Sequence, residues 1–113
     1  MNRAASWSPD ALISELGGDE VLAREMVSLF IDECPRMRKA IIDAFASGSP
    51  DAVRRAAHSF KGAVSNFRDD ELTAIARTLE LTAAEGRLDD AVALFDRLEQ
   101  EADELVRAMG QFT

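Results

Sequence analysis

The sequence predicts an all-α protein, an antiparallel four-helix bundle with a short extra helix at its N-terminus. Three observations predict it. Apolar residues recur at spacings of three, four and seven along most of the chain, which marks one face of a helix. Period-two alternation is scarce, there is no tyrosine, and no Asn-Gly or Asp-Gly dipeptide signals a hairpin. The breaks between helical segments are short and carry glycine, proline and capping residues.

The elements follow in order. Ser8-Pro9 is an N-cap followed by proline at the first helical position. A short helix carrying Leu12, Ile13 and Leu16 follows, and Gly17-Gly18 stops it. Asp19 caps a long second helix whose apolar face is read as Leu22, Met26, Leu29, Phe30, Met37, Ile41 and Phe45. Pro35 lies inside this stretch and is expected to kink or divide it, because proline has no N–H to give the helix. Gly48 ends the element, and Ser49-Pro50 repeats the cap-plus-proline signature. The third helix runs to about Phe67. Asp69-Asp70 places negative charge at the start of a fourth, with Leu72, Ile75, Ala76, Leu79 and Ala83 on one face. Gly86 closes it. A fifth begins near Asp89 and carries Val92, Phe95, Leu98, Ala102, Leu105 and Met109. Four amphipathic helices on short connections give the bundle, and the first helix covers one end. Trp7, just before the first cap, either packs over that end or hangs free of it.

A chain of 113 residues fits one domain, 1–113 with a core of about 8–110, and buries enough surface to need no disulfide or metal. Its net charge of −8 argues against nucleic acid, whose phosphates are bound by basic surfaces, and against anionic membranes. The single cysteine, Cys34, permits no internal disulfide and reads as a small core residue. No apolar run reaches the ~20 residues that span a bilayer. The N-terminal residues before Trp7 lack the apolar run of a signal peptide. A cytoplasmic protein is expected.

One position carries chemistry. His58 is the only histidine. With ~100° per residue, and His58 at zero, Val53, Ala57, Phe60, Val64 and Phe67 fall roughly between 180° and 260°. They form the buried stripe, and His58 points away from it. Arg54, Arg55, Lys61, Gly62 and Ser65 share its outward face. Residues 50–68 hold four cations against Asp51 alone, a local +3 that leaves −11 for the remainder. Such a patch concentrates a dianionic group near the ring. Lys61, at i+3, is placed to reach a group carried on the imidazole. Gly62 costs ~1 kcal/mol relative to alanine inside a helix. On an exposed face the reason for it is access, since without a side chain there another protein can approach the ring. An imidazole in water is mostly neutral at pH 7 and nucleophilic through its unprotonated nitrogen. Phosphoryl transfer asks chiefly for positioning and charge neutralisation.

Ala57-His58-Ser59-Phe60-Lys61-Gly62 resembles the H-x-x-K-G signature of histidine phosphotransfer (HPt) domains. Leu16-Gly17-Gly18-Asp19-Glu20, Phe30-Ile31-Asp32-Glu33-Cys34-Pro35, Ser65-Asn66-Phe67 and Leu79-Glu80 are similar to segments of that family, so the likeness covers roughly residues 8–110. It implies a phosphorelay intermediate. His58 would accept a phosphoryl group from a receiver-domain aspartate or a kinase and pass it to another receiver aspartate. Lys61 would stabilise the group, and Gly62 would leave room for the partner. Arg54, Arg55 and Ser65 are candidate partner contacts. The implied partners are response-regulator receiver domains, which hold Mg²⁺, and a hybrid histidine kinase. The chain itself would bind no cofactor and no metal and would be a carrier, not an enzyme. The family usually has a glycine and a small residue where Arg68-Asp69 stand here, which bears on the turn after the third helix.

Competing readings are weaker. A bundle metal site wants inward Glu-x-x-His pairs, and residue 55 is arginine while His58 faces out. No Cys-x-x-Cys and no Gly-rich phosphate loop is present, and no ATP-binding domain fits in the length. A phosphorylation-independent helical docking module is the alternative from another class, but it has no use for Gly62. Asn66 reads as a helix-capping residue. Met1 and the end at Thr113 soon after the last helix favour a free-standing domain over the phosphorylated N-terminal domain of a chemotaxis-type kinase. A monomer is expected, since the apolar stripes complete one core.

Overall fold

The computed structural model describes residues 7–113; the sequence reading of the leader-free N-terminus rests largely on residues 1–6 and lies outside the described residues. Helix α1 spans Pro9–Glu15, α2 Glu20–Ser47, α3 Pro50–Val64, α4 Asp70–Ala84 and α5 Leu88–Phe112. There is no strand among the described residues. Helix α3 packs against α2 and α4, α5 packs against α4 and α2, and α1 rests on α2, so α2–α5 close into an antiparallel bundle.

The punctuation acts as its chemistry requires. The side chains of Ser8, Asp19, Ser49 and Asp69 each accept a hydrogen bond from the backbone N–H three residues on, satisfying a donor that the first turn leaves free. Gly48 ends α2 in the left-handed conformation (φ 72°), where a Cβ would be strained.

Two expectations change. Helix α2 runs through Pro35 for 28 residues, so the proline does not divide it. Pro35 is exposed, so its ring meets solvent, while Phe30 and Cys34 before it and Ile41 after it are buried and anchor both halves. Leu22, Leu29 and Val92, read as core, are 40%, 63% and 49% exposed. The interior line of α2 runs instead through Ala23, Val27, Phe30, Cys34, Ile41 and Ala44, and that of α5 starts at Ala91. Small residues let helix backbones approach, and the large ones beside them are turned to the margin.

The α3–α4 connection fixes the end of the helix that carries His58. Helix α3 tightens into a 3₁₀ turn over Ser65–Phe67, after which Arg68 takes the left-handed conformation (φ 64°) and Asp69 caps α4. Trp7 packs over this end. Its Nε1 donates to the Phe67 carbonyl at 2.8 Å, and its ring meets Phe112 edge-on. Arg68 is the non-glycine residue at positive φ among those described, at the position where the family the sequence resembles usually has glycine. Its guanidinium reaches Glu15 of α1 at 2.9 Å, an exposed pair. Such a pair is worth at most about 1 kcal/mol, whereas a left-handed side-chain-bearing residue costs roughly 1–2 kcal/mol. Arg68→Gly is therefore expected to raise stability by about 0.5–1 kcal/mol, after allowance for glycine's freedom in the unfolded chain. Arg68→Ala, which keeps the strain and loses the pair, should not. Urea denaturation measures both, and a lower midpoint for Arg68→Gly would show that the ion pair dominates.

Candidate functional site

His58 sits in the middle of α3 on the side opposite the buried stripe of Val53, Ala57, Phe60 and Val64, as the helical period places it. Its side chain is 63% exposed. Helix α4 lies alongside, and from it Glu80 reaches back across the interface. Glu80 Oε2 is 2.9 Å from His58 Nδ1, and Glu80 Oε1 is 2.7 Å from Lys61 Nζ. One carboxylate, only 15% exposed, thus grips two residues one turn apart on α3. Partial burial alone would push the Glu80 carboxyl up. The hydrogen bonds from Lys61 and His58 outweigh that, and its pKa lies below the usual carboxylate value.

An ionised carboxylate only accepts hydrogen bonds, so the proton of the neutral ring is assigned to Nδ1, which donates to Glu80. That leaves Nε2 unprotonated, on a side chain that is 63% exposed. The same arrangement, a carboxylate fixing tautomer and orientation of a reactive histidine, operates in hydrolase triads.

The other expected site residues divide. Gly62 is exposed and helical, and a Cβ built on it meets nothing within 4 Å. No packing inside the molecule calls for glycine there. Ser65 turns its hydroxyl inward to donate to the Gly62 carbonyl at 3.0 Å. The Asn66 amide lies 3.5 Å from the same carbonyl, close to the capping role expected of it. Arg54 and Arg55 both pair with Asp51, at 2.9 and 3.1 Å, and the Arg54 hydrogen bond leads in holding that carboxyl below its ordinary range. The four cations of residues 50–68 therefore all carry acidic partners, and the local +3 is largely cancelled. Counting along the segment missed Glu80 and Glu15, which arrive from other helices. Glu80 is the functional candidate that residue-by-residue reasoning did not single out. Its signal was the Leu79-Glu80 pair, to which no role attached because the α3–α4 register is not written in either helix alone.

His58 has two unlike flanks. Towards α4 stand Lys61 and Glu80. Towards α2 the surface is open over Gly62 and leads, past Asn66, to a mostly apolar groove of about 330 Å³ lined by Met26, Leu29, Phe30, Met37, Ala63 and Phe67, with the Glu33–Arg36 pair also on its wall. Among the described residues no group of three or more His, Cys, Asp or Glu could hold a metal ion, and no helix is long and apolar enough to cross a membrane. Cys34 is buried, and its burial pushes the thiol up, as suits a packing residue.

A model of the Hpt domain family matches residues 25–108. Among solved structures, the chain is similar to histidine-containing phosphotransfer protein B (HptB) from Pseudomonas aeruginosa PAO1, with 27% identity and a TM-score of 0.84 over 93% of this chain and 91% of that one. No curated protein sequence matches.

The lowered Glu80 carboxyl has a consequence for stability. A group whose folded pKa is depressed stabilises the fold fully above its unfolded value, about 4.3 for glutamate, and loses that contribution as pH falls through the folded value. Wild type should therefore lose stability more steeply than Glu80→Gln below about pH 4.3. Parallel curves, measured by denaturant titration at a series of pH values, would mean that the contacts to His58 and Lys61 contribute nothing.

Proposed function

The chain belongs to the Hpt domain family, and from that premise we propose that its role in histidine phosphotransfer runs through His58, with the phosphoryl group carried on Nε2. The observation that supports this most directly is the His58–Glu80 hydrogen bond. It leaves the outward nitrogen free to attack, and it offers a fixed negative charge to the ring as that ring becomes cationic. In the forward step, the Nε2 lone pair forms the N–P bond while the P–O bond of a receiver's aspartyl phosphate breaks and its electrons return to the aspartate. The proton on Nδ1 stays where Glu80 holds it. Passing the group onward is the reverse with a second receiver.

Lys61 supplies the cation of this chain. The remaining neutralisation comes from Mg²⁺ on the receiver; His58 and Lys61 need no metal of their own for these roles. The domain is thus a phosphoryl carrier in the cytoplasm, working as a monomer between receiver domains or between a hybrid kinase and a receiver. The receiver approaches over Gly62 from the α2 side, because Lys61 and Glu80 fill the other flank. Its contact then continues onto the apolar groove, with Leu29 as an exposed anchor. A stable contact covers roughly 800 Å² per partner, far more than an imidazole offers, so an adjoining apolar surface is required. Arg54 and Arg55 lie on the same outer face, tethered to Asp51, as contacts at the rim.

The direct test mixes the protein with a phosphorylated receiver and Mg²⁺ and follows acid-labile, base-stable phosphate. Wild type is expected to take label and His58→Gln none; label on His58→Gln would place the acceptor elsewhere. Gly62→Gln separates stability from function. It removes a mid-helix glycine in open space, so folding stability should stay level or rise by up to about 1 kcal/mol. Transfer should fall at least about tenfold, because a side chain then stands in the approach path; this corresponds to about 1.4 kcal/mol in the barrier. Undiminished transfer by Gly62→Gln would remove access as the reason for the glycine.

A further inference from the structure

The same carboxylate that orients His58 also occupies the one cation expected to serve the phosphoryl group. Lys61 Nζ is 2.7 Å from Glu80 Oε1, and its side chain is 27% exposed, so in the unphosphorylated protein the ammonium is held on α4. We infer that phosphorylation of His58 makes Lys61 change partners, leaving Glu80 for the phosphoryl oxygens, while Glu80 is compensated by the phosphorylated ring. The inference rests on His58 being the acceptor.

Charge balance drives the exchange. Before transfer, the neutral ring and the Lys61 ammonium share one carboxylate, and the trio is neutral. As the N–P bond forms, Nδ1 keeps its proton and the ring gains a positive charge beside Glu80 Oε2. Glu80 then has a full counter-charge without Lys61. At the same moment a phosphoryl group of charge close to −2 stands on Nε2, and it attracts an ammonium at a given distance about twice as strongly as a carboxylate does. Each anion in the loaded state gains a cation, ring on carboxylate and lysine on phosphoryl, whereas without the exchange the phosphoryl group meets, among the described residues near it, only cations already paired with acids. Lys61 lies one helical turn from His58 on a flexible four-carbon stem, and its partial exposure leaves the path to the outer nitrogen through solvent. Arg54 and Arg55 face the same region from α3, but both are paired with Asp51. Among the described residues no other cation contacts Glu80.

Glu80 is on this account a positioning residue with two effects on the phosphorylated state. It steadies the charged ring, and it competes for Lys61. The competition can be isolated by a double-mutant cycle. Protein is phosphorylated with phosphoramidate, a small P–N donor that needs no receiver, and the half-life of the phosphohistidine is followed at neutral pH. Lys61→Met should shorten that half-life at least about fivefold. In the Glu80→Gln background the same substitution should have a larger effect, since there Lys61 serves the phosphoryl group without competition. Lys61→Arg, keeping the charge, should restore most of the lifetime. In wild type, the NMR signals of the Lys61 ε-methylene should shift on phosphorylation, and this shift should be absent in His58→Gln treated alike. A half-life indifferent to Lys61, or equal Lys61→Met effects in both backgrounds, would overturn the exchange while leaving His58 as acceptor. Failure of phosphoramidate to label His58 at all would instead overturn the reading of the site on which it stands.

Discussion

The register between α3 and α4 is the constraint on which the site depends. His58 and Lys61 are one turn apart on α3, and the carboxylate that binds both comes from Glu80, 22 residues after the histidine. For it to arrive there, the two helices must approach closely and must not slide. Ala57 on one and Ala76 and Ala83 on the other are fully buried and allow the approach. The sliding is limited at the connection, where Trp7 donates to the Phe67 carbonyl, Arg68 reverses the chain, and Asp69 caps α4 at once. A displacement by one residue would rotate Glu80 by about 100° and take it from the histidine altogether.

That geometry also divides the surface around the ring. The α4 flank is polar, partly buried and internally neutral. The α2 flank is bare over Gly62 and continues into apolar surface. In the proposed reading, a partner that needs in-line access to Nε2 meets no side chain at Gly62 on one side and a preassembled charge network on the other. On the proposed function, chemistry and recognition fall to different neighbours of the same helix, so either can change without rebuilding the other.

Much of this was readable from the chain because it is local. Caps at Ser8, Asp19, Ser49 and Asp69 are decided by side chains bonding backbone three residues away, and sequence states such distances directly. The outward aspect of His58 followed from one helical period. What sequence did not state was which of several apolar residues faces in when a helix has more of them than its interior stripe can take. Leu22 and Leu29 fit the spacing, yet Ala23 and Val27 take the interior, since helix contact selects for small size at the closest approach. Pro35 was read by its cost alone, without the burial on both sides that holds α2 continuous. The charge around His58 was misjudged for a related reason. The cations of α3 are neighbours in sequence, but Glu80 and Glu15 meet Lys61 and Arg68 only through tertiary packing.

Two residues defy local preference by similar amounts, and the contrast between them distinguishes a structural departure from a functional one. Arg68 bears a side chain where the backbone favours glycine, and the fold uses that side chain: it reaches Glu15 and ties the α3–α4 turn to α1. Gly62 lacks a side chain where the helix favours one, and the fold makes no use of the lack, since a Cβ there would meet only open space. A cost offset in part inside the molecule, as the pair with Glu15 offsets that of Arg68, belongs to the fold. A cost with no internal return, one turn from an exposed and oriented imidazole, has to be explained by something outside the molecule. Under the proposed function, the space above Gly62 is part of an interface whose other half belongs to the protein that brings or takes the phosphoryl group.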